Sequence, residues 1–156
     1  MKKILLLGIT LLLTTSLFGQ SNFYKKYAGY EGMTKVYISP SMFSLMGDDA
    51  ELNLSEDINI GSVIKNLNGL YILSTSNPGY IAEMKKDFTD ILRAGEFEVL
   101  MEIEDGPEKV VIYMQKQSDI ISDLYICAEE QDEYNVIYLS GKITRGDLKE
   151  MMKNVK

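Results

Sequence analysis

The sequence predicts an α+β domain, a mainly antiparallel sheet with amphipathic helices packed on one face, in the order β-α-β-α-β-β-β-β-α. Three observations lead there. From residue 97 onward, alternating apolar segments follow one another with only short turns between them, as consecutive antiparallel strands do. Two other segments, 76–96 and 143–156, carry their apolar residues at helical spacing. The strand-like stretches MTKVYIS (33–39) and GLYILST (69–75) are separated by further helical sequence.

The chain opens MKKILLLGITLLLTTSLFGQSN, with Lys2 and Lys3 ahead of an apolar run from Ile4 to Leu13 and small polar residues up to Gly19. This is the layout of a secretory signal peptide over residues 1–19, leaving 20–156 as a single domain. The apolar run is too short for a spanning helix, which needs about 20 residues. The cleavage region has no cysteine, so lipid anchoring there has no chemical handle. The expected product is exported and soluble, in the periplasm or the medium.

Phe23, Tyr24 and Tyr27 suit a short opening helix, and a turn is expected after Pro40 around Met42, Phe43 and Met46. Ile60, Val63, Ile64 and Leu67 form a further stripe closed by Gly69. In 76–96, Asn77 stands at a capping position, Pro78 at the first helical position, and Gly95 offers a left-handed stop. In 143–156, Thr144 and Asp147 make a capping-box variant ahead of Leu148, Met151, Met152 and Val155. The strands are FEVLMEI, KVVIYMQ, IISDLYICA and YNVIYLSGKI, with Gly106 and Pro107 turning the first pair.

Side chains alternate across a strand, so each strand divides into two faces. Phe97, Val99, Met101 and Ile103 fall on one side, with Val110, Ile112, Met114, Leu124, Ile126, Ile137 and Leu139 forming a uniformly aliphatic seat for helices. The other side mixes acids with tyrosines. Tyr113, Tyr125, Tyr134 and Tyr138, with Leu100 among them, are the candidate binding residues, because aromatic, lysine-poor surface is what interface centres use. Such a face can also be covered by the N-terminal segment around Phe23 and Tyr27, closed by a homodimer, or left wet.

Several chemistries are disfavoured. The chain has 16 basic and 23 acidic residues, and loss of Lys2 and Lys3 with the leader makes the balance more negative still. An acidic domain repels nucleic-acid phosphates and anionic lipid surfaces. There is no histidine and one cysteine, which excludes histidine-based nucleophile systems and argues against zinc and against an internal disulfide. Cys127 lies mid-strand near acids, which raise a thiol pKa, so it is not expected to be a nucleophile. In GDDAELNLSED (47–57), Asp49, Glu51, Asn53 and Ser55 alternate like calcium ligands. The glycine and acid that such a loop needs are replaced by Leu54 and Ile60. No catalytic residue, metal or cofactor is assigned.

The stretches FYKKYAGYEGMTKVYISPSMF, GLYILST, FEVLMEIEDGPEKVVIYMQK and IISDLYICAEEQDEYNVIYLSGKITRGDLKEM resemble the domain-of-unknown-function family 4252, small secreted or lipid-anchored proteins of Gram-negative bacteria. The resemblance implies secretion and a single domain, and brings no activity with it. The expected function is a non-catalytic interaction module of the cell envelope, its partner an envelope protein. The alternatives are a carrier of a small apolar ligand in a pocket lined by Met84, Met101, Met114 and Met151, and a carboxylate-dependent hydrolase.

Overall fold

A computed structural model describes residues 19–46, 53 and 59–153. Residues 1–18, all within the stretch 1–19 read above as a signal peptide, and nearly all of the acidic loop 47–57 lie outside the described residues, as do the last three positions. The elements are α1 (Gly19–Tyr27), β1 (Thr34–Ile38), α2 (Pro40–Met46), a 3-10 turn (Ile64–Asn66), β2 (Leu67–Thr75), α3 (Pro78–Ala94), β3 (Glu98–Asp105), β4 (Glu108–Gln117), β5 (Ile120–Glu130), β6 (Glu133–Ile143) and α4 (Arg145–Met151).

The strands form one six-stranded sheet in the order β1-β2-β6-β5-β4-β3, every pairing antiparallel. The α+β class and the four-strand meander are as expected. The placement of the helices is not, because both faces of the sheet are covered. On the aliphatic face, Leu70, Ile112, Leu124, Ile126, Leu139 and Ile143 pack against Phe43 of α2, Ile60 and Ile64 around the 3-10 turn, and Leu148 and Met151 of α4. On the tyrosine face, Phe23 and Tyr27 of α1 and Met84 and Phe88 of α3 close over Tyr125, Cys127, Val136 and Tyr138. Strands β5 and β6 are therefore buried on both sides through their middles. Such strands read as near-continuous apolar runs, here LYIC and VIYL.

The caps behave as the sequence implies, with one exception. Asn77 accepts hydrogen bonds from the backbone N–H of Gly79 and Tyr80 with Pro78 at the start of α3. Thr144 and Asp147 complete a reciprocal capping box on α4. Gly95, expected to take a left-handed conformation, sits at φ −93°, and Glu96 takes the positive φ of 52° instead. Glycine is favoured at 95 by space, since a Cβ there would lie 2.5 Å from the Phe97 ring.

Charge fastens α1 to α3 at their solvent margin. Lys26 Nζ meets Asp87 Oδ2 at 2.5 Å and Glu83 Oε1 at 2.8 Å. The Tyr27 and Tyr30 hydroxyls donate to the same two carboxylates. The Lys26 ammonium accordingly holds the Asp87 and Glu83 carboxyls below their usual range.

Candidate functional site

The tyrosines of the second face belong to one row. Register pairs Tyr113 with Tyr125, Tyr125 with Tyr138, Tyr138 with Tyr71, and Tyr71 with Tyr37, so one tyrosine from each of β4, β5, β6, β2 and β1 stands in line across the sheet. Neighbouring rings stack at centroid separations of 4.6 Å (Tyr125–Tyr138), 5.7 Å (Tyr71–Tyr138) and 4.8 Å (Tyr37–Tyr71), with interplanar angles near 25°. Cross-strand aromatic pairs of this kind each add about 0.2–1 kcal/mol to a sheet.

Most of the row is core. Tyr125 is 1% exposed and Tyr138 9%, beneath α1 and α3, and Tyr134, two rows away on the same face, is buried with them. The tyrosines can be buried because helices supply the cover and most hydroxyls find partners. Tyr138 donates to Asp123 Oδ1 at 2.5 Å, and Asp123 also accepts from Ser122. Covering by the segment around Phe23 and Tyr27, one of the arrangements open at the level of sequence, is the one observed. Tyr113 is half-buried at the far end, its ring 5.6 Å from Phe88. Leu100 does not join the tyrosines. A bulge between Val99 and Met101 resets the register, Met101 pairs with Ile112, and Leu100 packs with the aliphatic core while Phe97 and Val99 move to the tyrosine side. The four methionines weighed as a pocket lining are divided between the two cores, Met84 on one face and Met101, Met114 and Met151 on the other.

Among the described residues the Tyr125 hydroxyl is buried without a hydrogen-bond partner. A buried, unsatisfied polar atom carries a desolvation cost of about 1–3 kcal/mol, so Tyr125→Phe should stabilise the fold by about 1 kcal/mol, measured by urea unfolding. Loss of stability instead would mean that the hydroxyl is bonded.

Cys127 lies on the same face, buried. Burial pushes its thiol up from 9.0 to about 12, and the hydrogen bond from Tyr134 acts more weakly in the opposite direction. Burial likewise raises the phenols of Tyr125, Tyr134 and Tyr138 above 10.0. All four groups ionise more readily in the unfolded chain than in the folded one. Their contribution is fully present below about pH 9 and is lost as pH rises from there towards 12. Urea midpoints taken across that range should be flat up to about pH 9 and fall steeply above it. A thiol reagent should leave Cys127 unmodified in the folded protein at neutral pH.

The row surfaces at β1. Tyr37 is 52% exposed, and Val36, on the other side of the strand, is also exposed. Val36 registers with Ile72 and so lies on the face that α2 covers, and α2 turns Met42 and Leu45 outward, Leu45 to 83%. Among the described residues, four of the five large apolar side chains left exposed thus fall between residues 36 and 45.

The two sheet edges differ in chemistry. β3 carries Glu98, Glu102, Glu104 and Asp105 and is bent by its bulge, both devices that discourage strand addition. β1 has no acid and no bulge, and no described strand pairs with its outer edge. Tyr71 and Tyr37 are the residues that reading strands one at a time could not find. Each alternates correctly within its own strand, but only the non-local β2–β6 and β1–β2 pairings bring them into the row.

A two-layered cover over a six-stranded antiparallel sheet, with one acidic edge and one acid-free edge, defines the chain as an α+β domain. The family model described as "Domain of unknown function (DUF4252)" matches residues 24–151, and the chain belongs to that family. Neither a curated protein nor a solved structure matches it. Among the described residues no helix is long and apolar enough to cross a membrane, and no three His, Cys, Asp or Glu side chains gather as a metal site.

Proposed function

We propose that this is an exported, non-catalytic binding module of the cell envelope, which takes up an extended segment of a partner protein along the outer edge of β1. The observation that carries the reading is the contrast between the edges: β3 is acidic and bulged, whereas β1 has neither acid nor bulge and carries or adjoins exposed Val36, Tyr37, Met42 and Leu45. An added strand gains main-chain hydrogen bonds from the edge, and its alternate side chains choose the partner. One set of side chains would lie beside the Tyr37 ring, continuing the aromatic row. The other would lie over Val36 beside α2. The partner segment is therefore apolar at successive positions and able to be extended. The leader supplies the address.

Extended peptides selected from a displayed random library against the folded domain test this reading. Bound peptides should carry apolar residues at successive positions, and Tyr37→Lys should weaken them by about tenfold or more, the usual cost of losing a central aromatic anchor. Tyr37 is exposed, so the variant should keep its fold, which circular dichroism verifies. Peptides that bind Tyr37→Lys and the parent equally would remove β1 as the site.

A further inference from the structure

The tyrosine face has a second feature, a cleft of about 230 Å³ where α3 stands off β4 and β5. Its shape follows from the register. One step from the tall tyrosine row lies a row of short side chains, Val111, Cys127 and Val136, paired across β4, β5 and β6. The next row brings Lys109, Glu129 and Tyr134. Val111 and Cys127 are thus a low floor between the Tyr113 ring and the taller side chains beyond. Phe88, Thr89 and Leu92 of α3 form the wall.

We propose that this cleft binds a small neutral aromatic compound of one ring or two fused rings. Size sets the first limit, since a cavity of roughly 150 Å³ accepts a single benzene ring. The lining sets the second. Phe88 and Tyr113 already meet edge to face, and the Tyr134 ring borders the floor, so a planar guest finds ring faces and edges to pair with. Charge sets the third. Lys85 is ion-paired with Glu129, and Lys109 with Glu102 at 2.6 Å and Glu104 at 3.8 Å. Each charge on the rim has an opposite partner, so an anion or a cation entering here competes with an existing pair, and a neutral guest does not. The site is separate from the β1 edge and does not rest on the reading of that edge.

Indole is a direct probe, because the chain has no tryptophan and indole emission can be excited beyond tyrosine absorption. Titrating the folded protein should give a saturable blue shift. Phenol should compete, and benzoate and benzylamine at equal concentration should not. Two variants locate the site: Val111→Phe fills the floor, and Thr89→Phe blocks the mouth from the exposed side of α3, where folding is not at stake. Each should weaken indole at least tenfold. An absent or non-saturable shift overturns the proposal. So does equal competition by the charged analogues, or undiminished binding by folded Thr89→Phe.

Discussion

Replacing Tyr138 with alanine should lower the unfolding free energy by about 3–5 kcal/mol, the range for removing a large aromatic side chain from a core. The ring is stacked between Tyr71 and Tyr125 and covered by helices, so its loss leaves a cavity that packed neighbours cannot fill. The loss also takes the hydroxyl from Asp123, a buried carboxylate that would keep only Ser122 of its two side-chain donors. Tyr138→Phe separates the two contributions, keeping the packing and losing the hydrogen bond, and should cost about 1–3 kcal/mol. Urea unfolding of both variants measures the effects. A solvent-facing tyrosine would cost within about 0.5 kcal/mol, so a value that small would mean the face is not covered.

Gly141→Ala should be nearly as damaging, for a different reason. Gly141 of β6 pairs with Leu67 where β2 leaves the 3-10 turn, and a Cβ at 141 would lie 2.3 Å from the Asn66 carbonyl oxygen and 2.9 Å from Leu67 Cα. These are backbone atoms and cannot rotate away. The turn must lift from the sheet, taking Ile64 out of the aliphatic core, at about 3 kcal/mol or somewhat less. Gly146→Ala is the control. Its added Cβ meets nothing closer than 3.6 Å, and alanine favours the helix, so the change should be neutral or stabilising by up to about 1 kcal/mol. Thermal unfolding of the pair checks the contrast, and equal midpoints would contradict it.

Much of this architecture is legible without coordinates. Period-two alternation divides Tyr125 and Cys127 from Leu124 and Ile126, and the structure keeps that division. The caps at Asn77 and Thr144 announce their helices because the same side-chain oxygens that define the motif make the bonds. What alternation cannot give is the identity of the cover. It shows that tyrosines share a face, and a tyrosine suits a wet surface or a dry one equally, according to whether its hydroxyl finds a partner such as Asp123. The Leu100 bulge is illegible for a related reason. One extra residue in β3 moves Met101 into register with Ile112, and nothing in FEVLMEI itself marks where the extra residue falls. Met84 of α3 and Met114 of β4 share a residue type yet lie on opposite sides of the sheet, which only the packing of α3 decides. The exposed edge at Val36 and Tyr37 is hidden too, since a strand does not reveal from its own residues whether it is central or terminal in the sheet.

Recognition along β1 is most directly tested by amide hydrogen exchange of the folded domain, alone and with a selected extended peptide. Exchange should slow by about tenfold or more within Thr34–Ile38, as open edge amides gain partners, while Glu98–Asp105 is unchanged. Slowing along β3 or over α1 and α3, with β1 unaltered, would contradict it.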